Sequence, residues 1–208
     1  NLLSIEYTEK HQIFVGLRYF FLFFWAFEKQ ISPKMERLYV MLDCSRNAVL
    51  LPEKVKQFIR LIALVGYNKL MLYTEDTYEI DEEPYFGYLR ERYTKEELKE
   101  FNGYAKSFGI ELIPCIQTLA HLNGPTRWQS VYGDVTDCQD ILLVEEEKTY
   151  RLIERMFKSV HDCFSSKIIN VGMDEEFLLG AGKYQEKHGA ENRFSVFYKH
   201  LLKVADLA

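Results

Sequence analysis

From Leu38 onward the chain alternates short apolar runs with longer amphipathic ones, and this beat constrains the fold more than any other feature. Residues 38–42 are a continuous apolar run, followed by a helix over 51–64 with Pro52 in its first turn. Residues 69–73 make a second strand, introduced by Gly66-Tyr67-Asn68. A helix over 94–108 then carries Thr94 as N-cap, Glu97 to complete a capping box, and Gly109 as its stop. Residues 111–116 read as a third strand, 145–163 as a helix, 167–171 as a fourth strand and 191–204 as a last helix. Four β-then-α units in succession imply a parallel sheet with right-handed crossovers. No G-x-G-x-x-G or G-x-x-x-x-G-K-[ST] follows any strand, so nucleotide binding has no support. Two architectures remain, a doubly wound sheet and the start of a (β/α)8 barrel. The expected fold class is α/β, with these four units as the first half of a barrel.

Residues 1–35 precede this pattern and read as a separate helical element, the remnant of a small preceding domain; 36–208 form the partial catalytic barrel. The run 13–27 is dense in aromatics (Phe14, Tyr19, Phe20, Phe21, Phe23, Phe24, Trp25 and Phe27). It is shorter than the roughly 20 residues of a membrane span, and acidic residues precede it. A buried helix packed on a sheet is therefore expected, and no membrane partner. A formal net charge of -5 with scattered basic residues argues against nucleic acid. Cys44, Cys115, Cys138 and Cys163 lie far apart and form no CxxC, which suits the reducing cytoplasm better than a disulfide framework or zinc site.

Side chains just past the carboxyl ends of parallel strands share one face. Here they are Asp43, Ser45 and Arg46, then Glu75 and Asp76, then His121, then Asp174 and Glu175. Each has an ordinary structural alternative: Asp174 as a helix cap with Glu175 in the first turn, an acidic solvated loop around Glu75, a satisfied loop histidine at 121. Their convergence on one rim costs desolvation and repulsion that a structural role seldom requires. Two carboxylates held together do not both ionise freely, so one tends to keep a proton and can serve as a general acid. With Arg46 to clamp sugar hydroxyls, the set suits glycosidic cleavage. Tyr73, Tyr78, Tyr85, Trp128 and Tyr132 are candidates to face a sugar ring or to fill the core.

Four segments in order carry a family resemblance: Met41-Leu42-Asp43-Cys44-Ser45-Arg46, Leu72-Tyr73-Thr74-Glu75-Asp76-Thr77-Tyr78, Ile113-Pro114-Cys115-Ile116-Gln117-Thr118-Leu119-Ala120-His121-Leu122, and Val171-Gly172-Met173-Asp174-Glu175. The chain resembles glycoside hydrolase family 20, the β-N-acetylhexosaminidases, and most closely its intracellular bacterial and hexosaminidase D-like branch. The resemblance implies an exo-acting enzyme on glycans ending in N-acetylglucosamine or N-acetylgalactosamine, with no cofactor and no metal. It makes Glu175 the general acid/base and Asp174 the group that orients the substrate's own 2-acetamido nucleophile, through a cyclic oxazolinium. It gives Arg46 to sugar hydroxyls, and pairs His121 with Glu75 or Asp76, Asp76 preferred, to tune Glu175. The family's later strands, which wall the sugar pocket, have no counterpart here. The 208 residues are therefore expected to be an incomplete fragment with little activity alone, prone to self-association through unpaired strand edges. Two other readings are a metal-dependent TIM-barrel sugar isomerase, although no HxH or ExxH pair appears, and a non-catalytic truncated relic.

Overall fold

A computed structural model describes residues 4–22, 35–46 and 48–208. In chain order its elements are α1 (Gln12–Leu22), β1 (Tyr39–Asp43), α2 (Pro52–Val65), β2 (Lys69–Tyr73), α3 (Lys95–Ser107) and β3 (Glu111–Cys115). Then follow α4 (Asn123–Thr126), α5 (Gln129–Tyr132), a 3-10 turn (Gly133–Val135), α6 (Glu147–Cys163), α7 (Lys183–His188) and α8 (Arg193–Leu207). The sheet is parallel, in the order β1-β2-β3.

Its register explains its two faces. Tyr39, Lys69 and Glu111 stand abreast at one end, Met41, Met71 and Ile113 in the middle, and Asp43, Tyr73 and Cys115 at the carboxyl end. Because side chains alternate along a strand, Val40, Leu42, Leu70, Leu72 and Leu112 turn the other way, into the helical layer. There they meet Val55, Ile59, Ile62 and Ala63 of α2, Leu98, Phe101 and Ala105 of α3, and the buried stripe of α6 from Leu152 to Cys163. Local chemistry fixes the helix ends. Gly66 adopts φ +102 and closes α2, its N–H donating to the carbonyls of Ile62 and Ala63 at 3.0 and 3.1 Å. At α3 the Glu97 N–H donates to Thr94 Oγ1 at 3.1 Å and the Thr94 N–H donates to Glu97 Oε2 at 2.9 Å, a complete capping box.

Two expectations need correction. The fourth strand expected at 167–171 is a single bridge: the Asn170 N–H donates to Pro114 O, and the Ile116 N–H donates to Asn170 O, both at 3.0 Å. The segment follows β3 but ladders with it at one residue only. Its start is held by local bonds to Ser166, and past the bridge it is held by Thr118, whose N–H donates to Gly172 O at 3.0 Å and whose Oγ1 donates to Val171 O at 2.6 Å, at a turn where Gly172 has φ +39. The aromatic N-terminal helix is also not buried against the sheet. No residue of α1 is buried; Phe14 stacks on Phe108 with centroids 4.9 Å apart, and Arg18 Nη1 donates to Val65 O at 2.9 Å. Among the described residues α1 packs against Ile5, the end of α2 and Phe108, while Phe21 and Leu22 are exposed. Phe23, Phe24, Trp25 and Phe27 lie outside the described residues. Among the described residues no helix is long and apolar enough to cross a membrane.

Candidate active site

The carboxyl ends of the strands carry a rim of charged groups. The Ser45 and Arg46 N–H groups both donate to Asp43 Oδ1, at 2.9 and 3.2 Å, which fixes the turn leaving β1. Arg46 reaches across to β2, its Nη2 donating to the Tyr73 hydroxyl at 3.2 Å and its Nε lying 3.7 Å from Glu75 Oε1. Ser45 Oγ donates to Glu75 Oε2 at 2.7 Å. Asp76 points the other way and is fully buried. Arg90 Nη1 donates to its Oδ1 at 2.6 Å, and the same guanidinium donates to the Ser45 carbonyl. Burial pushes the Asp76 carboxyl up, with Arg90 pulling against it.

The second acid pair is built by a strained turn. A Cβ on Gly172 would sit 2.4 Å from Ile116 O and 2.5 Å from Gln117 Oε1, so only glycine lets this segment approach the loop after β3 so closely. Three residues on, Glu175 has φ +59, and His121, facing it, has φ +58. Left-handed backbone at non-glycine residues is costly and tends to persist where function holds it. The result is a compact triangle. His121 Nε2 lies 3.4 Å from Asp174 Oδ2 and 3.5 Å from Glu175 Oε2, at ion-pair range but without a formed hydrogen bond. Gln117 Nε2 donates to Asp174 Oδ1 at 3.2 Å. Partial burial pushes the Asp174 carboxyl up, but Gln117, its own backbone N–H and His121 outweigh it and hold the group below the ordinary aspartate value. Asp174 is thus an anion at neutral pH, and no helix follows for it to cap; the next, α7, begins at Lys183.

The rim accordingly gathers Arg46, Glu75, His121, Asp174 and Glu175, while Asp76 sits behind it. Among the described residues no hydrogen bond or ion pair joins His121 to either Glu75 or Asp76; both acids are engaged by Arg90, and Glu75 also by Ser45 and Tyr73. Of the aromatics, Tyr78 and Tyr132 are core residues, Tyr132 donating to Glu83 Oε2 at 2.9 Å. Tyr85 and Tyr88, both exposed, pack with the half-buried Trp128, and Tyr73 lies at the carboxyl end of β2. Arg90 escaped the sequence reading. Its signal was a buried acid after β2 with an arginine in the same loop, but nothing local marked Asp76 as buried. A polar hollow of about 410 Å³, lined by Asn123, Thr126, Arg127, Gln129, Gln139 and Asp140, opens beside α4, and none of the rim acids lines it. All four cysteines are free thiols. Among the described residues no three His, Cys, Asp or Glu side chains gather closely enough to hold a metal ion.

The comparison with known proteins decides the family. The model of the glycosyl hydrolase family 20 catalytic domain matches residues 39–197, which takes in every rim residue above. The chain belongs to glycosyl hydrolase family 20. Among curated relatives it is 27% identical over 180 residues to a beta-hexosaminidase of Vibrio furnissii, covering 69% of this chain and 29% of that protein. It is 26% identical over 143 residues to hexosaminidase D of Bos taurus, covering 64% of this chain and 40% of that one. Its fold is that of the family 20 exo-β-N-acetylglucosaminidase of Vibrio harveyi, solved with N-acetylglucosamine: TM-score 0.71 at 19% identity, over 85% of this chain and 35% of the other. This family 20 chain therefore spans well under half the length of the relatives it matches.

Proposed function

We propose that this family 20 chain supplies the acid/base half of a retaining exo-β-N-acetylhexosaminidase. Its three strands and the bridging segment at Asn170 are, in this reading, the first half of a (β/α)8 barrel. The observation that carries the reading is the triangle of Asp174, Glu175 and His121, open to solvent at the carboxyl end of a parallel sheet, with Asp174 held ionised. Glu175 delivers a proton to the leaving glycosidic oxygen and then deprotonates the incoming water. Asp174 accepts a hydrogen bond from the substrate's 2-acetamido N–H, which turns the acetamido oxygen toward the anomeric carbon and steadies the positive charge of the cyclic intermediate. His121, between the two acids, senses both charges. Arg46 and Glu75 offer a donor and an acceptor to ring hydroxyls. The N-acetylglucosamine bound to the Vibrio harveyi neighbour supports this substrate class.

The test is hydrolysis of aryl N-acetyl-β-glucosaminides by the full translated product of the gene. Glu175→Gln is expected to lower turnover by about 10²- to 10⁴-fold with a poor leaving group and far less with a good one. Equal cleavage of plain β-glucosides, or a trapped covalent ester on Asp174, would overturn substrate assistance.

A further inference from the structure

Beneath the exposed rim runs a buried polar relay. The Tyr73 hydroxyl is its hub, meeting Arg46 Nη2 at 3.2 Å, Gln117 Nε2 at 3.1 Å and Glu75 Oε1 at 3.2 Å. Arg46 and the Gln117 amide nitrogen are donors only, so the hydroxyl accepts from both and spends its one proton on Glu75. Burial pushes this phenol up, so the proton stays in place at neutral pH. Gln117 spends its second amide hydrogen on Asp174 Oδ1 at 3.2 Å. The reverse amide orientation would set Oε1 against an anionic carboxylate, which is repulsive, so the proton count fixes the direction of the whole chain. Gln117 and Tyr73 are 1% and 6% exposed, whereas the groups they join, Arg46 and Asp174, are open to solvent.

We propose that Gln117 and Tyr73 are positioning residues, a buried amide–phenol pair that orients Asp174 and couples it to the hydroxyl-reading pair Arg46 and Glu75. Its catalytic meaning rests on the function proposed above; its geometry does not. A carboxylate on an exposed loop turns freely, and productive geometry requires one rotamer. Gln117 supplies that constraint with a neutral donor, which adds no competing charge beside Asp174. Through Tyr73, engagement of Arg46 and Glu75 by a sugar bears on the same hydrogen-bond chain. The groups facing Asp174 are His121, Glu175, Gln117 and the Cys115 thiol, itself pushed up to about 11 by burial and by Asp174.

The experiment is a carboxyl-carbon NMR titration of Asp174 in the 208-residue chain. Gln117→Met, which keeps volume and loses the donor, is expected to move the Asp174 midpoint up, and Tyr73→Phe to move it the same way by less. Gln117→Glu places a second carboxylate there and moves it further up still. An unchanged midpoint in Gln117→Met, with native amide dispersion retained, would overturn the proposal; if that variant does not fold, Tyr73→Phe decides by the same criterion. In the full translated product, Gln117→Met is expected to lower kcat by about 10- to 100-fold equally for good and poor leaving groups. A midpoint that moves in a protein without hexosaminidase activity leaves the relay standing and removes the proposed function. Turnover with an immobile midpoint does the reverse.

Discussion

Two pairs of adjacent acids follow strand-like segments in this chain, and they live in opposite surroundings. Glu75 and Asp76, after β2, have side chains 13% and 0% exposed and share Arg90, which lies 3.7 and 2.6 Å from them. Asp174 and Glu175, after the bridging segment, are 59% and 62% exposed and share a histidine. The first pair is neutralised by a permanent cation. The second faces an imidazole at ion-pair range that forms a hydrogen bond with neither acid. Similar chemistry on paper thus makes Asp76 a buried strut in one place and leaves, in the other, an open acid pair that the proposed function uses as its reactive centre. What separates them is the partner and the water, not the carboxyl groups.

Removing the strut's cation is the most severe way to probe this difference. Arg90→Leu leaves a buried aspartate without its partner, an arrangement that costs about 3–5 kcal/mol at neutral pH. Asp76 Oδ2 already lacks a hydrogen bond and packs against Gly124, and of the two cations acting on this acid Arg90 is the stronger and Arg127 the weaker. The folded-state value of this acid is raised, so its charged form is the penalised one. The cost of the variant should therefore shrink as pH falls and Asp76 takes up a proton. The double variant Arg90→Leu with Asp76→Asn should regain most of the loss, as removing both members of a buried pair often does. Urea unfolding at two pH values reads all three. A cost below about 1 kcal/mol for Arg90→Leu would mean that both acid pairs are surface groups and the contrast is false.

How much of this was legible in the sequence depends on how local the cause is. The bounds of β2 and the Thr94–Glu97 capping box follow from neighbouring residues and appear where the sequence places them. The family segments marked Arg46, Glu75, Asp76, His121, Asp174 and Glu175; five of these stand on the rim, and Asp76, the acid preferred beside His121, is buried behind it. The fourth strand failed because a strand needs a ladder, and Ile168, Ile169 and Val171 specify apolar character without specifying a partner. The pairing of Asp76 with His121 does not form, because Arg90, fourteen residues on, takes the acid. Gln117 was visible only as a letter in a motif. A neutral amide carries no charge pattern, and its role emerges once Tyr73 and Asp174 are brought to its two hydrogens.

A buried base offers a second, slightly smaller test of the same contrast. His200 of α8 is completely buried and donates from Nε2 to Thr118 O at 2.8 Å, one residue from Gln117, while its Nδ1 faces the Tyr150 hydroxyl at 3.3 Å. Burial lowers it to about 4. The folded value lies below the unfolded one, so the unfolded chain takes up a proton first as pH falls. Stability is then lost between about pH 6.5 and pH 4, by roughly 3 kcal/mol in full. His200→Gln, which keeps a donor for Thr118, should flatten that part of the profile, whereas Glu175→Gln should leave it in place. If Glu175→Gln flattened the profile, the exposed pair would be carrying structural charge after all.

The smallest expected effect is the most discriminating, because its sign is unusual. Glu175 holds φ +59, a conformation that costs an ordinary residue about 1–2 kcal/mol and glycine almost nothing. Glycine also loses more chain entropy on folding, by about 0.5–1 kcal/mol. Glu175→Gly should therefore be neutral or stabilising, by up to about 1 kcal/mol, where most substitutions at a well-placed residue destabilise. Glu175→Gln keeps the strain and should lie within about 0.5 kcal/mol of the parent. Urea midpoints of the three proteins, measured together, separate the cases. A gain on Glu175→Gly with loss of hydrolysis would mark the residue as one held in a costly conformation for its chemistry. A clear loss of stability would show that the Glu175 side chain supports the fold as Asp76 does, and the two acid pairs would then differ only in exposure.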